Sequence, residues 1–367
     1  MKTIRYALIG CGRISPNHLA AAKASGLDIV AICDIDTAVM RNKTLHFNLT
    51  DSTRLFVDYK EMLSVCHPEL VAIATESGKH AAIALDCIEA VCHVIIEKPI
   101  ALSLGDADAI IAKAKEKGVK VCVSHQNRFN KSIQYIRHAL EQGRFGRMLY
   151  GTAHIRWNRG QEYYNQAKWR GTWAQDGGAL MNQCIHNIDL LRWMMGNEAT
   201  EVMAYTDQLM HDFIAAEDLG IALIKFSNGG YGIIEGTTCV YPKNLEETLY
   251  LFGERGTVKA GGQSVNNIEE WRFGDGIDDS QEVKSLYNEN PPNVYGFGHT
   301  PLYKDMIDAI IKDRSPLING YSGRRTLELV LAIYKSAHEH RPVQLPLAEC
   351  STLDFVGRFE NERMVCA

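Results

Sequence analysis

Residues 5–15 read RYALIGCGRIS. An apolar run, Tyr6 to Ile9, enters Gly10, Cys11 and Gly12, and a helical pattern begins a few residues later. Strand, glycine turn and helix in that order make a loop in which backbone N–H groups and a helix N-terminus can approach a diphosphate. Gly10 permits the tight turn, Gly12 removes the Cβ that would stand against the phosphates, and Arg13 and Ile14 complete the loop. Ser15 stands where the full pattern has a third glycine, and it is small enough for close helix–strand packing.

The following run, Asp28–Cys33, ends at Asp34, about 20 residues beyond the loop, where a carboxylate can accept hydrogen bonds from ribose hydroxyls. A carboxylate there repels a 2′-phosphate, and neither Ile35 nor Asp36 supplies an arginine to bind one, so NAD(H) is expected rather than NADP(H). Further strand-like runs at Leu70–Ala74, His93–Ile96 and Val119–Val123 alternate with helical patterns at Asn17–Ala24, His80–Ala90 and Gly105–Lys117. That alternation predicts a parallel sheet of Rossmann type over residues 1–124. At 367 residues the chain exceeds one ordinary core, and its texture changes near residue 125. Strand-like runs then follow one another: Met148–Trp157, Glu201–Thr206, Asp218–Phe226, Tyr231–Thr238 and Thr248–Phe252. With helical patterns near 130–142, 178–195, 299–313 and 321–340, residues 125–367 read as an α+β domain on an open, mostly antiparallel sheet. The stretch 274–293, rich in Asp, Glu, Asn and Pro, reads as a long exposed loop. The fold class is α/β.

Composition narrows the function. A net charge of −5, from 39 basic and 44 acidic side chains, gives no electrostatic footprint for nucleic acid. No apolar run reaches the roughly 18 residues of a membrane span. Lys2 and Arg5 precede an apolar stretch, but Gly10, Gly12 and Arg13 end it before an h-region is built, so a cytoplasmic protein is expected. The ten cysteines show neither CxxC pairs nor zinc-finger spacing; reduced structural thiols and no metal are expected.

Two stretches look chemical. Glu97-Lys98-Pro99 directly follows a strand, at the carboxyl end where α/β sheets place ligands, and a proline there can lock an unusual turn. Residues 176–196 read DGGALMNQCIHNIDLLRWMMG. On an ideal helix Asn182, His186 and Asp189 span only about 60° of the surface, beside an apolar face of Met181, Ile185, Ile188, Leu191 and Met195.

Together GCGRI–NH, EKPIAL and DGG–MNQ–H–ID resemble the Gfo/Idh/MocA oxidoreductase family over most of the chain. The resemblance implies a Rossmann domain followed by an open-sheet domain, and redox chemistry at sugar-type hydroxyl carbons with a nicotinamide cofactor. It implies that Lys98 is the active-site lysine and His186 the catalytic histidine. Thr75, Ser77, His80, Glu97, Lys98 and Gln126 would join Gly10, Gly12, Arg13, Ile14 and Asp34 around NAD(H). Two positions depart from the family pattern. Asn182 stands where an Asp is common, and an amide positions groups without sharing a proton. The usual TPS turn reads Thr75-Glu76-Ser77, with Glu76 expected at the cofactor rim.

Longer matches, among them QNRFN (126–130), EYYNQAKWRGTW (162–173), YPKN (241–244) and VYGFGH (294–299), resemble WlbA/WbpB-type sugar-nucleotide dehydrogenases. These oxidise the 3″-hydroxyl of UDP-N-acetylglucosaminuronic acid (UDP-GlcNAcA), on a route to surface-polysaccharide sugars such as those of O-antigen. For such a substrate Arg128, Arg159 and Arg170 offer planar forks to a carboxylate or diphosphate, and Tyr163, Tyr164, Trp169 and Trp173 offer stacking faces. Lys98, Asn182 and His186 would also touch the sugar. In the expected reaction a hydride leaves the sugar C3 while His186 takes the hydroxyl proton and Lys98 steadies the oxygen; a desolvated, neutral Lys98 would reverse the two roles. Asp189 would orient the imidazole or anchor the helix. An inositol, polyol or free-sugar dehydrogenase is the alternative enzyme, and a non-catalytic NAD sensor would need neither Lys98 nor His186. The resemblance further implies a homo-oligomer, a tetramer through the open sheet face, and in some relatives recycling of NADH by 2-oxoglutarate.

Overall fold

The computed structural model describes residues 3–50, 52–196, 198–277 and 279–359. The chain forms two compact units, one of residues 1–125 with 299–325, the other of residues 126–298 with 326–367.

The first unit is built on six strands: β1 (Arg5–Ile9), β2 (Asp28–Cys33), β3 (Arg54–Phe56), β4 (Leu70–Ile73), β5 (His93–Ile96) and β6 (Val121–Val123). All are parallel, in the order β3-β2-β1-β4-β5-β6, which is the doubly wound Rossmann order. β4 and the apolar stretches of β1 and β5 are almost wholly buried, as a sheet with both faces covered requires. The crossovers carry α1 (Ser15–Ala24), α2 (Thr37–His46), α3 (Tyr59–Cys66), α4 (His80–Glu89) and α5 (Leu104–Lys117). Local chemistry sets their ends: the Asp36 carboxylate accepts the Ala38 N–H at 2.8 Å to start α2, and Gly118 stops α5 in the left-handed region. Strand β3 escapes sequence patterning because three residues at a sheet edge leave no period to read.

A contiguous division at residue 125 misses one excursion. The helix His299–Ile311 packs with the first unit, where the Tyr303 hydroxyl lies 2.9 Å from that of Tyr6 and 2.7 Å from His18 Nδ1. Side chains of this helix, rather than anything in the chain's linear order, decide its membership.

The second unit holds α6 (Lys131–Glu141), β7 (Met148–Arg156), α7 (Gln161–Tyr164), α8 (Ile185–Met195), β8 (Ala199–Asp207), β9 (Leu219–Phe226), β10 (Tyr231–Thr237), β11 (Glu246–Gly253), β12 (Gly256–Gly261), β13 (Asn267–Phe273), α9 (Ser280–Tyr287) and β14 (Val343–Gln344). The helices His299–Ile311 and Gly320–Glu339 are α10 and α11. Eight strands pair in the order β13-β12-β11-β7-β10-β9-β8-β14, antiparallel except for the parallel β7–β10 pair. In β9, Gly220, Ala222, Ile224 and Phe226 are buried while Ile221, Leu223 and Lys225 face outward. Glycine and charge hid β12 and β13 from sequence patterning. The stretch expected as an exposed loop contains α9, whose Val283 is 2% exposed and anchors it.

Candidate active site

In the first unit the expected cofactor residues cluster at the carboxyl ends of β1, β2, β4 and β5, where the strand order reverses between β1 and β4. Gly10 has φ +91°, and a Cβ there would lie 2.6 Å from the Ala74 carbonyl, so only glycine fits. A Cβ on Gly12 would meet no protein atom within 4 Å; the space over the loop is open. Ser15 is buried and its hydroxyl donates to the Gly12 carbonyl at 2.7 Å, closing the turn where a third glycine is missing. Asp34 Oδ2 accepts the Cys11 N–H at 2.7 Å and Oδ1 the Asp36 N–H at 2.9 Å, which fixes the carboxylate beside the loop. Arg13 is exposed at its rim and Ile14 half-buried. An open glycine cradle with an anchored carboxylate fits a dinucleotide with free ribose hydroxyls.

Two of the expected cofactor contacts, His80 and Glu97, have partners within the unit. His80 is 1% exposed, its Nδ1 2.8 Å from the Pro99 carbonyl and its Nε2 3.1 Å from the Thr75 carbonyl, so the ring ties two turns together. Burial lowers its pKa despite those carbonyls. Glu97 is 6% exposed and turns inward, with Oε1 2.9 Å from His18 Nε2. Glu76 pairs with Lys79 at 3.5 Å. Thr75 is half-buried and Ser77 buried at the start of the turn after β4. Lys98 is half-buried, and its peptide bond to Pro99 is cis.

In the second unit the stretch expected as one helix has two parts. Leu180–Cys184 forms a π turn, and α8 continues from Ile185. The wider turn breaks the ideal angular count between Asn182 and His186; such turns are frequent at functional sites. α8 is buried nearly all round, with only His186 and Trp193 half-buried, because it lies against β7, β10 and β11. Glycine permits the close approach of the π turn before it: a Cβ on Gly220 would lie 2.5 Å from Leu180, and one on Gly236 would lie 2.7 Å from Leu180 and 2.8 Å from Cys184. Asp189 anchors the helix. Its carboxylate is wholly buried and takes the Arg128 Nε and Nη2 at 2.6 Å each and the Thr326 hydroxyl at 2.6 Å. The Arg128 fork is therefore engaged inside the protein, at 2% exposure, instead of facing a substrate.

Tyr164 is likewise a core residue, 8% exposed, with its hydroxyl 3.3 Å from that of Thr238 and its ring against His211 and Phe213. Trp173 is 2% exposed among Tyr334, Phe355 and Phe359. Gln126 is buried at the start of the unit. The remaining expected substrate residues do come together. The Arg170 guanidinium lies over Tyr163 at 4.3 Å and Trp169 at 4.5 Å, and Arg159 lies over Tyr163 at 5.2 Å. Gln183 donates to the Tyr163 hydroxyl at 2.8 Å and accepts from Arg159 Nε at 2.9 Å, and it also donates to the side-chain Oδ1 of Asn182. The Asn182 amide donates to Asp176, a buried carboxylate that also accepts the Gly171 N–H at 2.6 Å.

Sequence reasoning left Asp176, Gln183, Asn244 and Glu217 without roles. Asn244 accepts from Arg159 at 3.0 Å and stands in the YPKN match, the one signal that pointed to it. Glu217 is wholly buried; Oε1 accepts the Leu180 N–H at 2.7 Å and the Tyr334 hydroxyl at 2.8 Å. Burial pushes its carboxyl up to about 8. Among the described residues two side-chain groups have ligand-like spacing, His18–Glu97–His299 and His211–Asp218–Cys239. In the second, Asp218 Oδ2 accepts N–H groups of Met210 at 2.8 Å and His211 at 2.9 Å, so its lone pairs face donors. Burial first opposes ionisation of Asp218, yet the His211 ring and these N–H groups bring its carboxyl down to about 2.

Comparison with known proteins agrees with this architecture. The oxidoreductase-family NAD-binding Rossmann fold matches residues 4–125, and the oxidoreductase-family C-terminal alpha/beta domain matches residues 137–345. The WlbA dehydrogenase of Bordetella pertussis, solved with NADH and UDP-GlcNAcA, is 37% identical over 95% of this chain and 99% of its own, with a TM-score of 0.86. The WlbA dehydrogenase of Chromobacterium violaceum, solved with the same pair, is 36% identical over 95% and 97%, also with a TM-score of 0.86. D-apiose dehydrogenase of Paraburkholderia graminis is 28% identical, covering 95% of this chain and 92% of its own. The chain thus belongs to the Gfo/Idh/MocA family, as an oxidoreductase with an NAD-binding Rossmann domain.

Proposed function

We propose that this enzyme oxidises the 3″-hydroxyl of UDP-N-acetylglucosaminuronate to the 3-keto sugar. The supporting observation is its likeness, at 37% and 36% identity, to two dehydrogenases solved with that nucleotide sugar, against 28% for the apiose dehydrogenase. NAD, when bound, supplies the hydride acceptor. Gly10, Gly12 and Asp34 hold it by the diphosphate and ribose. His186 takes the hydroxyl proton, imidazole being the side chain suited to exchanging a proton near neutral pH. Lys98 donates a hydrogen bond to the same oxygen and steadies its developing charge. Arg159, Tyr163, Trp169, Arg170, Asn182 and Gln183 form the surface that receives the acidic sugar nucleotide, since two guanidinium groups held over aromatic faces suit carboxylate and diphosphate. The enzyme works as a homo-oligomer in the cytoplasm, where its free thiols stay reduced.

Turnover of UDP-GlcNAcA, UDP-GlcNAc and myo-inositol, followed by NADH absorbance with and without 2-oxoglutarate, tests the reading. UDP-GlcNAcA as the preferred substrate supports it; preference for myo-inositol overturns it in favour of a polyol dehydrogenase. Product formed from UDP-GlcNAcA without net NADH, only when 2-oxoglutarate is present, identifies cofactor recycling. His186→Ala and Lys98→Ala should each lower kcat by about two orders of magnitude or more while NADH still binds.

A further inference from the structure

Glu97 directly follows β5 and precedes Lys98, and its side chain faces α1 and α10 of its own unit. Oε1 lies 2.9 Å from His18 Nε2; His18 Nδ1 lies 2.7 Å from the Tyr303 hydroxyl, which lies 2.9 Å from the Tyr6 hydroxyl. His18, Tyr303 and Tyr6 are all wholly buried. The His299 ring meets His18 edge-on, and its Nε2 is 3.8 Å from the same Glu97 oxygen, beyond a hydrogen bond. Burial keeps His299 toward its neutral form.

The donors in this chain depend on one another. With Glu97 ionised, Oε1 accepts from His18 Nε2–H, Nδ1 accepts from Tyr303, and the Tyr303 oxygen accepts from Tyr6. Every link is then made. With Glu97 protonated and donating, the order reverses and ends on the Tyr6 O–H, buried with no further acceptor among the described residues. A stranded buried donor is costly, so the first order prevails. Burial opposes the ionised form, yet the His18 bond and the His299 ring hold the Glu97 carboxyl well below the usual carboxylate range.

The other carboxylate oxygen accepts the Lys98 backbone N–H at 3.3 Å. On the far side of the turn, His80 reaches the carbonyls of Pro99 and Thr75. We propose that Glu97 is a positioning residue for Lys98: the Tyr6–Tyr303–His18 chain orients its carboxylate, which fixes the turn presenting the lysine. This inference rests on the catalytic reading of Lys98, and it removes Glu97 from direct cofactor contact.

Selective 15N-histidine labelling of the full chain tests the chain without any substrate. His18 should be the neutral Nε2–H tautomer, and Tyr303→Phe should shift it toward a tautomer mixture. The Nδ1–H tautomer in the wild type would overturn the proposal. So would one equivalent of zinc per purified chain released by His299→Ala, because ligation would take the same oxygen and nitrogen. Kinetics with the substrate found above supply the second readout. Glu97→Gln should lower kcat about tenfold or more with KM and NADH affinity within about threefold, and Tyr303→Phe should lower kcat about threefold. Glu97→Asp should recover part of the Glu97→Gln loss. Unchanged kcat in Glu97→Gln, or an equal loss of NADH affinity, would overturn it; Tyr303→Phe decides if Glu97→Gln does not fold. If no substrate is turned over, the functional reading fails while the tautomer result still stands.

Discussion

Asp189 and Arg128 meet through two parallel bonds of 2.6 Å with both side chains almost wholly buried. Removing one partner leaves the other charge buried and uncompensated, so Asp189→Ala should cost about 3–5 kcal/mol of stability. The double change Asp189→Leu with Arg128→Met should regain much of that, and denaturant unfolding of the two variants and the wild type checks it. An Asp189→Ala loss below about 1 kcal/mol would remove the anchoring role. Glu217 predicts a pH dependence of opposite sign to that of ordinary acidic groups. Its folded pKa of about 8 stands above the reference value of 4.5, so between these values the folded protein holds a proton that the unfolded chain has lost. The stability it contributes is fully present below the unfolded value and is lost as pH rises through about 8. Glu217→Gln should remove a slope of up to about 1.4 kcal/mol per pH unit from the unfolding free energy between pH 5 and about 8. Identical slopes in the two proteins would mean that Glu217 is ionised in the fold.

The π turn and α8 show what an element's sequence reveals and what it hides. The amphipathic count located the helix within a few residues and set Asn182, His186 and Asp189 on one narrow face, of which the structure leaves His186 half-buried and Asp189 wholly buried. It could not show the extra residue in the π turn, because that widening answers to partners distant in sequence: Glu217 accepting the Leu180 N–H, and glycines on β9 and β10 against Leu180 and Cys184. The burial of Arg128 and Tyr164 was hidden for the same reason. An arginine fork or an aromatic ring reads alike from sequence whether its partner is a ligand or, as found, Asp189 or Thr238. The glycine loop and Asp34 were legible because their geometry is local, a turn and one strand pair. Gly236 tests the close packing. A methyl group there would enter the contact with Leu180 at 2.7 Å and Cys184 at 2.8 Å. Gly236→Ala should destabilise the protein by about 1–3 kcal/mol, seen as a lower Tm, and Cys184→Ala in the same chain should restore part of it.

At the scale of the molecule, one face of the second sheet carries several exposed apolar side chains among the described residues. Tyr205 on β8 pairs in register with Ile221 on β9, and Leu223 on β9 pairs with Met203 on β8 and Ile233 on β10. Of these, Tyr205 is 66%, Leu223 56% and Ile221 46% exposed, and Tyr231 on β10 is 53% exposed. Apolar side chains adjacent on three neighbouring strands form a patch rather than a scatter of single residues, and we propose it as an interface between copies of this chain. On β9 the buried residues Gly220, Ala222, Ile224 and Phe226 point the other way, so the exposed face is the one we propose for a second copy. Light scattering should therefore give a mass that is a multiple of the 41.0 kDa chain. Ile221→Glu with Leu223→Glu places two carboxylates inside that interface without touching the buried Ala222 and Ile224 beside them. The variant should fall to a smaller species while its circular dichroism and NADH binding persist. A wild-type mass of one chain, or an unchanged assembly in the variant, would show that this face has no part in association.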